Sequence, residues 1–364
     1  MKRLLFLLAG LWVACSSAMA ISFYFSPDVP TDLGGTTYLP WQIVRNDSGI
    51  YTLVLSLPSG THIDSLYRRC DGKWLFSVEA PTDLGGTTYD PRDVILFDGI
   101  NYSLFFCGGP IGISADANVD AAFMVGGDKG DIVLSFDVPV DLSAIGGAVY
   151  EPSDLVRFTR TGAGCIGWTV NGLFFDASAV IPGISISDNV IGAEERAGLT
   201  ILTVDVPTTL GANTYLPGQL VSWDPVLSAF STLYADPNWP ITSTVEAFCF
   251  LPDPGTVPPT IRVRKSLLTP GNLNITWSTS SSAGGEDYGI YEGTIKTWYN
   301  HTSIDCHDDG GDLQEEVTPA AGNKYYLVVP NNPDAEGSYG QRSSGVERPQ
   351  GTSPCRLTQA FGCP

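Results

Sequence analysis

The chain has 364 residues, a formal net charge of −20, 43% hydrophobic residues and only 16% charged ones. The acidity argues against nucleic acid and anionic lipid head groups as partners, and the apolar content argues against disorder. With 40 Gly, 26 Pro and no long amphipathic helical pattern after residue 20, this is the composition of a turn-rich all-β protein of two or three domains.

Residues 1–20 read as a secretory signal: Lys2 and Arg3, an apolar run, then Ala18-Met19-Ala20 as an A-x-A cleavage site. The run is too short for a comfortable membrane span. The alternative is a lipoprotein signal ending at Cys15, for which Trp12 is a poor fit. The mature chain is expected to be secreted, periplasmic or held at the cell surface. Cleavage removes two positive charges and no negative one, so −20 becomes −22. Seven cysteines follow the signal: Cys70, Cys107, Cys165, Cys249, Cys306, Cys355 and Cys363. They contain no C-x-x-C pair, so disulfides are expected in an oxidising compartment, with at least one thiol left over.

From residue 21 to 251 one unit recurs. "PTDLGGTTY" stands at 30–38 and again at 81–89, and alignment on it gives four copies, beginning at Ser26, Ser77, Ser135 and Thr203. Each holds an alternating strand ending in an acidic residue and Pro, a Gly-rich loop, a Tyr, a Pro turn and two more strands. A fourth apolar stretch leads into the next unit. Four short strands per unit of this length predict propeller blades, four of them. The first unit lacks its leading strand and a surplus strand, "VEAFCF", follows the fourth, so the C-terminal strand is expected to complete the first blade and close the ring. At the third junction "ISISDNVIG" has to supply the leading strand. The repeated glycines, Gly34-Gly35 and Gly85-Gly86, are expected to take backbone angles closed to other residues.

"PDPGTVPP" at 252–259 reads as a Pro-rich linker. Beyond it the repeat stops, and 260–364 reads as a β-sandwich with a cysteine-containing tail. Residues 260–345 resemble a fibronectin type III domain of secreted bacterial proteins. Trp277 stands for that family's strand-B Trp, Tyr288 and Tyr291 for its strand-C tyrosines, Tyr325 or Tyr326 for its strand-F Tyr, and "PNNPDAEGSYG" for its exit. Cys306, Cys355 and Cys363 depart from the family. The four-fold unit is similar to repeats in uncharacterised secreted bacterial proteins, a resemblance that implies no activity.

Catalytic motifs are missing from the sequence. There are three histidines, His62, His301 and His307, and no G-x-S-x-G, H-E-x-x-H or P-loop. Two acidic constellations stand out. Aligned copies put Asp28, Glu79, Asp137 and Asp205 at one position, and Asp32, Asp83 and Asp141 four residues later, where the last copy has Thr209. In a closed ring these carboxylates would gather on one rim and favour divalent cations or a basic partner; the other reading makes them acceptors for their own loops. Asp93 and Asp154 give way to Gln42 and Gln219 in the other copies, so no second carboxylate ring forms there. The other constellation, "DCHDDGGD", groups Asp305, Asp308, Asp309 and Asp312 around a glycine turn, chemistry that suits calcium or a solvated loop beside a disulfide. Cys306 is expected to pair with Cys355 or Cys363. Asn46, Asn101, Asn274 and Asn300 lie in glycosylation sequons. The leading expectation is a non-enzymatic secreted or surface protein binding an extracellular glycan or protein. A polysaccharide hydrolase with an accessory sandwich and a structural envelope component are the alternatives.

Overall fold

The computed structural model describes residues 21–180, 190–309 and 311–363. The signal, Cys15 and the first part of "ISISDNVIG" lie outside them. The described chain is all-β, with several small antiparallel sheets.

Four of these sheets have four strands and the same order. The first runs Val245–Phe250, Ser22–Pro27, Gln42–Asp47, Ile50–Ser56. The second is Ile63–Arg68, Trp74–Val78, Val94–Phe97, Tyr102–Phe106. The third is Val119–Val125, Asp131–Phe136, Leu155–Arg160, Trp168–Phe175. The fourth is Val190–Arg196, Leu199–Val204, Leu220–Asp224, Ala229–Tyr234. In each sheet the leading strand is buried along most of its length. The last strand is largely exposed, as in Ile50–Ser56. Leading strands pack against those of both adjacent sheets, so they surround a common axis. Apolar clusters fill the gaps between successive sheets, including the gap from the fourth back to the first, where Phe23, Phe25, Ile201, Leu220 and Phe248 meet.

The surplus strand Val245–Phe250 pairs antiparallel with Ser22–Pro27, Phe25 opposite Phe248. A segment more than 200 residues downstream therefore supplies the innermost strand of the first sheet. At the third junction the leading strand begins at Val190 and reads "VIGAEER", so it overlaps only the end of the stretch expected there.

The repeated nonapeptide is more than a glycine-rich loop. It is a two-stranded hairpin, Thr31–Leu33 against Thr36–Tyr38 and Thr82–Leu84 against Thr87–Tyr89. Gly34 and Gly35 have φ of 63° and 84°, the pair of positive values that a tight two-residue hairpin turn demands. Alternation then points Leu33 and Tyr38 into the core, as it does Leu84 and Tyr89. The Pro turn that follows also repeats in chemistry. Gln42, Asp93, Asp154 and Gln219 each accept, through a side-chain oxygen, the backbone N–H three residues earlier, at 2.9–3.3 Å. Either residue type supplies that oxygen, which accounts for the Asp/Gln exchange between copies.

After residue 251 two three-stranded sheets face each other: Arg262–Lys265, Leu273–Thr276, Gln314–Val317, and Thr297–Asp305, Asp287–Thr294, Lys324–Asn331. Ile275, Trp277, Tyr288, Ile290, Val317 and Val328 form the core between them. Tyr291 points to the other face, where Tyr339 and the tail cover it. The Pro-rich segment is held along its length: Pro252 O accepts from Asn332, Pro254 O from Ser280, and Gly255 O from Ser338 N.

Candidate functional site: an acidic cleft at one end of the axis

The leading strands start at the same end of the axis. Their second residues, together with the acidic residues that follow three of the next strands, line an open cleft of about 430 Å³. Glu79, Asp137 and Asp205 lie on it, with Asp64, Asp116, Asp120, Asn118 and Glu246. A connected cleft brings Asp28, His62, Asp64, Glu79 and Glu246 together. The four repeat-equivalent carboxylates thus converge on one mouth.

They also grip the chain locally. Asp28 Oδ1 accepts from Thr244 N at 2.8 Å, Asp137 Oδ1 from Asn118 N at 2.7 Å, and Glu79 Oε2 lies 2.9 Å from His62 Nδ1. Each contact holds the residue just before a leading strand: Thr244 before Val245, His62 before Ile63, Asn118 before Val119. These contacts reach the start of a leading strand and not the carboxylate's own loop, the role read from the sequence as the alternative to a rim.

Asp32, Asp83 and Asp141 do not join the mouth. Asp32 Oδ1 accepts from Gly35 N at 3.0 Å, Asp83 Oδ1 from Gly86 N at 2.9 Å and Asp141 Oδ1 from Ser143 N at 3.0 Å. They brace exposed turns, while Thr209 bonds Thr214 across its hairpin.

Three further carboxylates deepen the site, and the sequence reading missed them. Asp64, Asp120 and Glu246 are each the second residue of a leading strand, where the fourth strand has Ile191. Aligning "IDSLYR", "VDAAFMV" and "VEAFCF" on that position would have exposed them. Asp64 and Asp120 are buried. Burial, then the charges of Asp120 and Glu246, push the Asp64 carboxyl well above its usual range. Burial and the nearby Asp28 and Glu79 push Glu246 up to about 7. The neighbouring Glu246 carboxyl adds to the upward shift of Asp64, and Asn118 Nδ2 donates to Asp64.

The "DCHDDGGD" loop does not gather its carboxylates. Asp305 Oδ1 accepts from His307 N, Asp308 Oδ2 from Leu313 N, and Asp312 from Gln314. Among the described residues no three acidic, His or Cys side chains form a group that could hold a metal ion, which includes Asp305, Asp308, Asp309 and Asp312. Cys306 of this loop bonds Cys355, Cys363 reaches back to Cys70, and Cys107 bonds Cys165. Cys249 is the buried free thiol. His301 is fully buried, with Nδ1 3.2 Å from Tyr325 Oη and Nε2 3.1 Å from Pro349 O, so it is not a base open to a substrate. Asn46 of the first sequon is fully buried as well.

The opposite end of the axis is closed. There the leading strands end at Arg68, Val125, Arg196 and Phe250, beside a cavity of about 170 Å³ lined by Arg68, Gly126, Arg196 and Phe250, with Asp253, Gly362 and Cys363 across it. Glu194 is buried there, its Oε2 accepting from Phe250 N at 2.6 Å, and burial raises it to about 8. Among the described residues no helix is long and apolar enough to cross a membrane.

No family model and no curated protein matches the chain. Among solved structures it is similar to the extracellular domain of a hybrid two-component system from B. thetaiotaomicron, at 11% identity and a TM-score of 0.28, over 86% of this chain and 53% of that one. YCF48 from Cyanidioschyzon merolae matches at 8% identity and a TM-score of 0.25, over 68% and 61%. Virginiamycin B lyase from Staphylococcus aureus matches at 11% and 0.25, over 85% and 73%. The chain thus spans about half to three fifths of the length of the first two. Likenesses of this size carry no activity or ligand across to it.

Proposed function

We propose that the protein is an extracellular, non-enzymatic binding protein whose acidic cleft takes a cationic group of a partner, such as the Lys or Arg side chains of a basic protein segment. In this reading residues 21–251 form a four-bladed propeller closed by Val245–Phe250, 252–259 join it to the second half, and 260–364 form a fibronectin type III-like sandwich with its tail. Three disulfides fit an oxidising compartment. The observation that carries the function is the convergence of Glu79, Asp137, Asp205, Asp64, Asp120 and Glu246 on one open cleft, with Asp28 on a second cleft that shares Asp64, Glu79 and Glu246 with it. Its volume suits a side chain better than a bare ion, and a cleft lined by one sign of charge raises the local concentration of cations.

The hydrolase alternative has one feature in its favour, the adjacent Asp64 and Glu246 carboxyls, both shifted upward. Glycoside chemistry needs two carboxyl groups roughly 5 Å or more apart, one on each side of the scissile bond, whereas these two adjoin each other closely enough for Glu246 to raise the pKa of Asp64. Binding is therefore the better reading of this geometry.

Calorimetry with an arginine-rich peptide tests it. Binding should weaken with salt and fall at least about tenfold in a variant carrying Asp28→Asn, Glu79→Gln, Asp137→Asn and Asp205→Asn. Equal affinity in that variant would show that general acidity, and not the cleft, attracts the peptide.

A further inference from the structure

One strand reverses the charge balance of the whole chain. Arg262–Lys265 reads Arg-Val-Arg-Lys, and all four residues are exposed. Three of the 19 basic residues thus fall within four positions. The strand is the outer one of its sheet. Arg262 and Arg264 share one of its faces, opposite Thr276 and Asn274. Among the described residues none of the three cations forms an ion pair.

The loop that follows carries Leu267 and Leu268, 100% and 88% exposed. It is pinned at both ends. Ser266 N donates to Asn272 O at 2.9 Å, and Ser266 Oγ accepts from Leu268 N and Thr269 N, both at 3.0 Å. Glu316 accepts from Ser266 Oγ at 2.5 Å and from Asn272 Nδ2 at 2.9 Å, and Thr318 Oγ1 donates to Asn272 Oδ1 at 3.0 Å. The leucines cannot fold back onto the sandwich without breaking these bonds. Glu316, the carboxylate facing the loop, is engaged in holding it.

Basic residues on an outer strand also guard against edge-to-edge pairing. That role explains the arginines and the lysine but leaves the leucines without one, since two fully exposed leucines on a rigid tip only add to the aggregation hazard. A surface that is apolar at the tip and anionic beside it satisfies both groups.

We propose that Arg262, Arg264, Lys265, Leu267 and Leu268 form a docking surface for an anionic lipid membrane. The leucines enter the boundary between head groups and acyl chains, and the cations lie against the anionic head groups. The overall negative charge does not forbid this, because charges more than about 8–10 Å from the membrane are largely screened in physiological salt. The paired leucines favour a membrane over a soluble polyanion, which would offer them nothing to enter.

The test is cosedimentation of the full chain with vesicles of phosphatidylcholine alone or mixed with phosphatidylglycerol. The protein should partition onto the mixed vesicles and not onto phosphatidylcholine, and added salt should release it. A Leu267→Ser, Leu268→Ser variant and an Arg262→Gln, Arg264→Gln, Lys265→Gln variant should each lose at least about tenfold in partitioning, with melting curves unchanged because all five side chains are exposed. Absence of the wild-type chain from mixed vesicles at low salt would overturn the proposal. So would unchanged partitioning of the leucine variant, or release by soluble polyglutamate with the same effect on wild type and leucine variant, which would point to an acidic soluble partner.

Discussion

Glu336 has no exposed surface, yet its carboxylate is met by five donors: Tyr291 Oη, Tyr339 Oη at 2.6 Å, Gln350 Nε2 at 3.1 Å, Cys355 N at 2.7 Å and Arg356 N at 3.2 Å. The donors come from the sheet and from three points along the tail, so one side chain fastens residues 339–356 to the face that Tyr291 occupies. Burial and the bond to Glu336 push the Tyr291 hydroxyl pKa upward, keeping it a donor. Glu336→Ala leaves buried donors unsatisfied and is expected to cost on the order of 3 kcal/mol, read from urea unfolding. A loss within experimental error would mean that the disulfide Cys306–Cys355 alone holds the tail. Nothing in "DAEGSY" distinguishes Glu336 from its acidic neighbours; only the fold buries it. The glycines are the opposite case. Gly34 and Gly35 predicted positive φ, which is what they have, because that requirement is local.

The leading strands carry buried acids that ionise reluctantly, and this sets a pH dependence. Glu246 rises from the usual 4.5 to about 7, and Glu194 to about 8, mainly through burial. Between those limits the unfolded chain has given up protons that the folded one keeps. Their contribution to stability is therefore full below pH about 4.5 and lost as pH rises through about 7–8. Raising a carboxyl's pKa by one on folding corresponds to about 1.4 kcal/mol, so the loss is of order a few kcal/mol. Urea midpoints of this part of the molecule should fall from mildly acidic to mildly alkaline pH, and an Asp64→Asn, Glu246→Gln variant should flatten that slope. A variant with the parental slope would locate the titration elsewhere. The strands themselves were legible as short apolar runs. Their acidic second residues were not singled out, because a carboxylate inside an apolar strand shows its meaning only when three such strands start at one end of an axis.

At the scale of the molecule, the second half covers one end of the axis and leaves the acidic cleft at the other. Arg45 holds Glu286 with two bonds, at 2.6 and 3.0 Å. Asp334 accepts from Arg196 at 3.0 Å and from Ser22 N at 3.1 Å. The disulfide Cys70–Cys363 spans 293 residues. A cross-link over so long a loop restricts the unfolded chain by up to about 5 kcal/mol. Cys70→Ser with Cys363→Ser should lower the melting temperature by several degrees and split one transition into two as the halves uncouple. A single transition at the parental temperature would show that the ion pairs and packing suffice. The contacts along Pro252, Pro254 and Gly255 account for why a segment that reads as a linker is fixed in place.

Read alone, the sequence determined what depends on neighbours along the chain. The four-fold unit, the alternating strands, the glycine turns and the all-β class follow from period and turn chemistry within some tens of residues. The missing first strand and the surplus last one also anticipated the pairing of Ser22–Pro27 with Val245–Phe250. Tertiary structure decided the rest. It separated Asp28, Glu79, Asp137 and Asp205 on the mouth from Asp32, Asp83 and Asp141 on the turns, although only four residues divide the two sets in the first three copies. It placed Asp64, Asp120 and Glu246 beneath that mouth, and chose Cys70 as the partner of Cys363 and Cys355 as that of Cys306. These outcomes depend on which distant segments share a volume. Electrostatic fields, burial and disulfide geometry act across space and not along the chain.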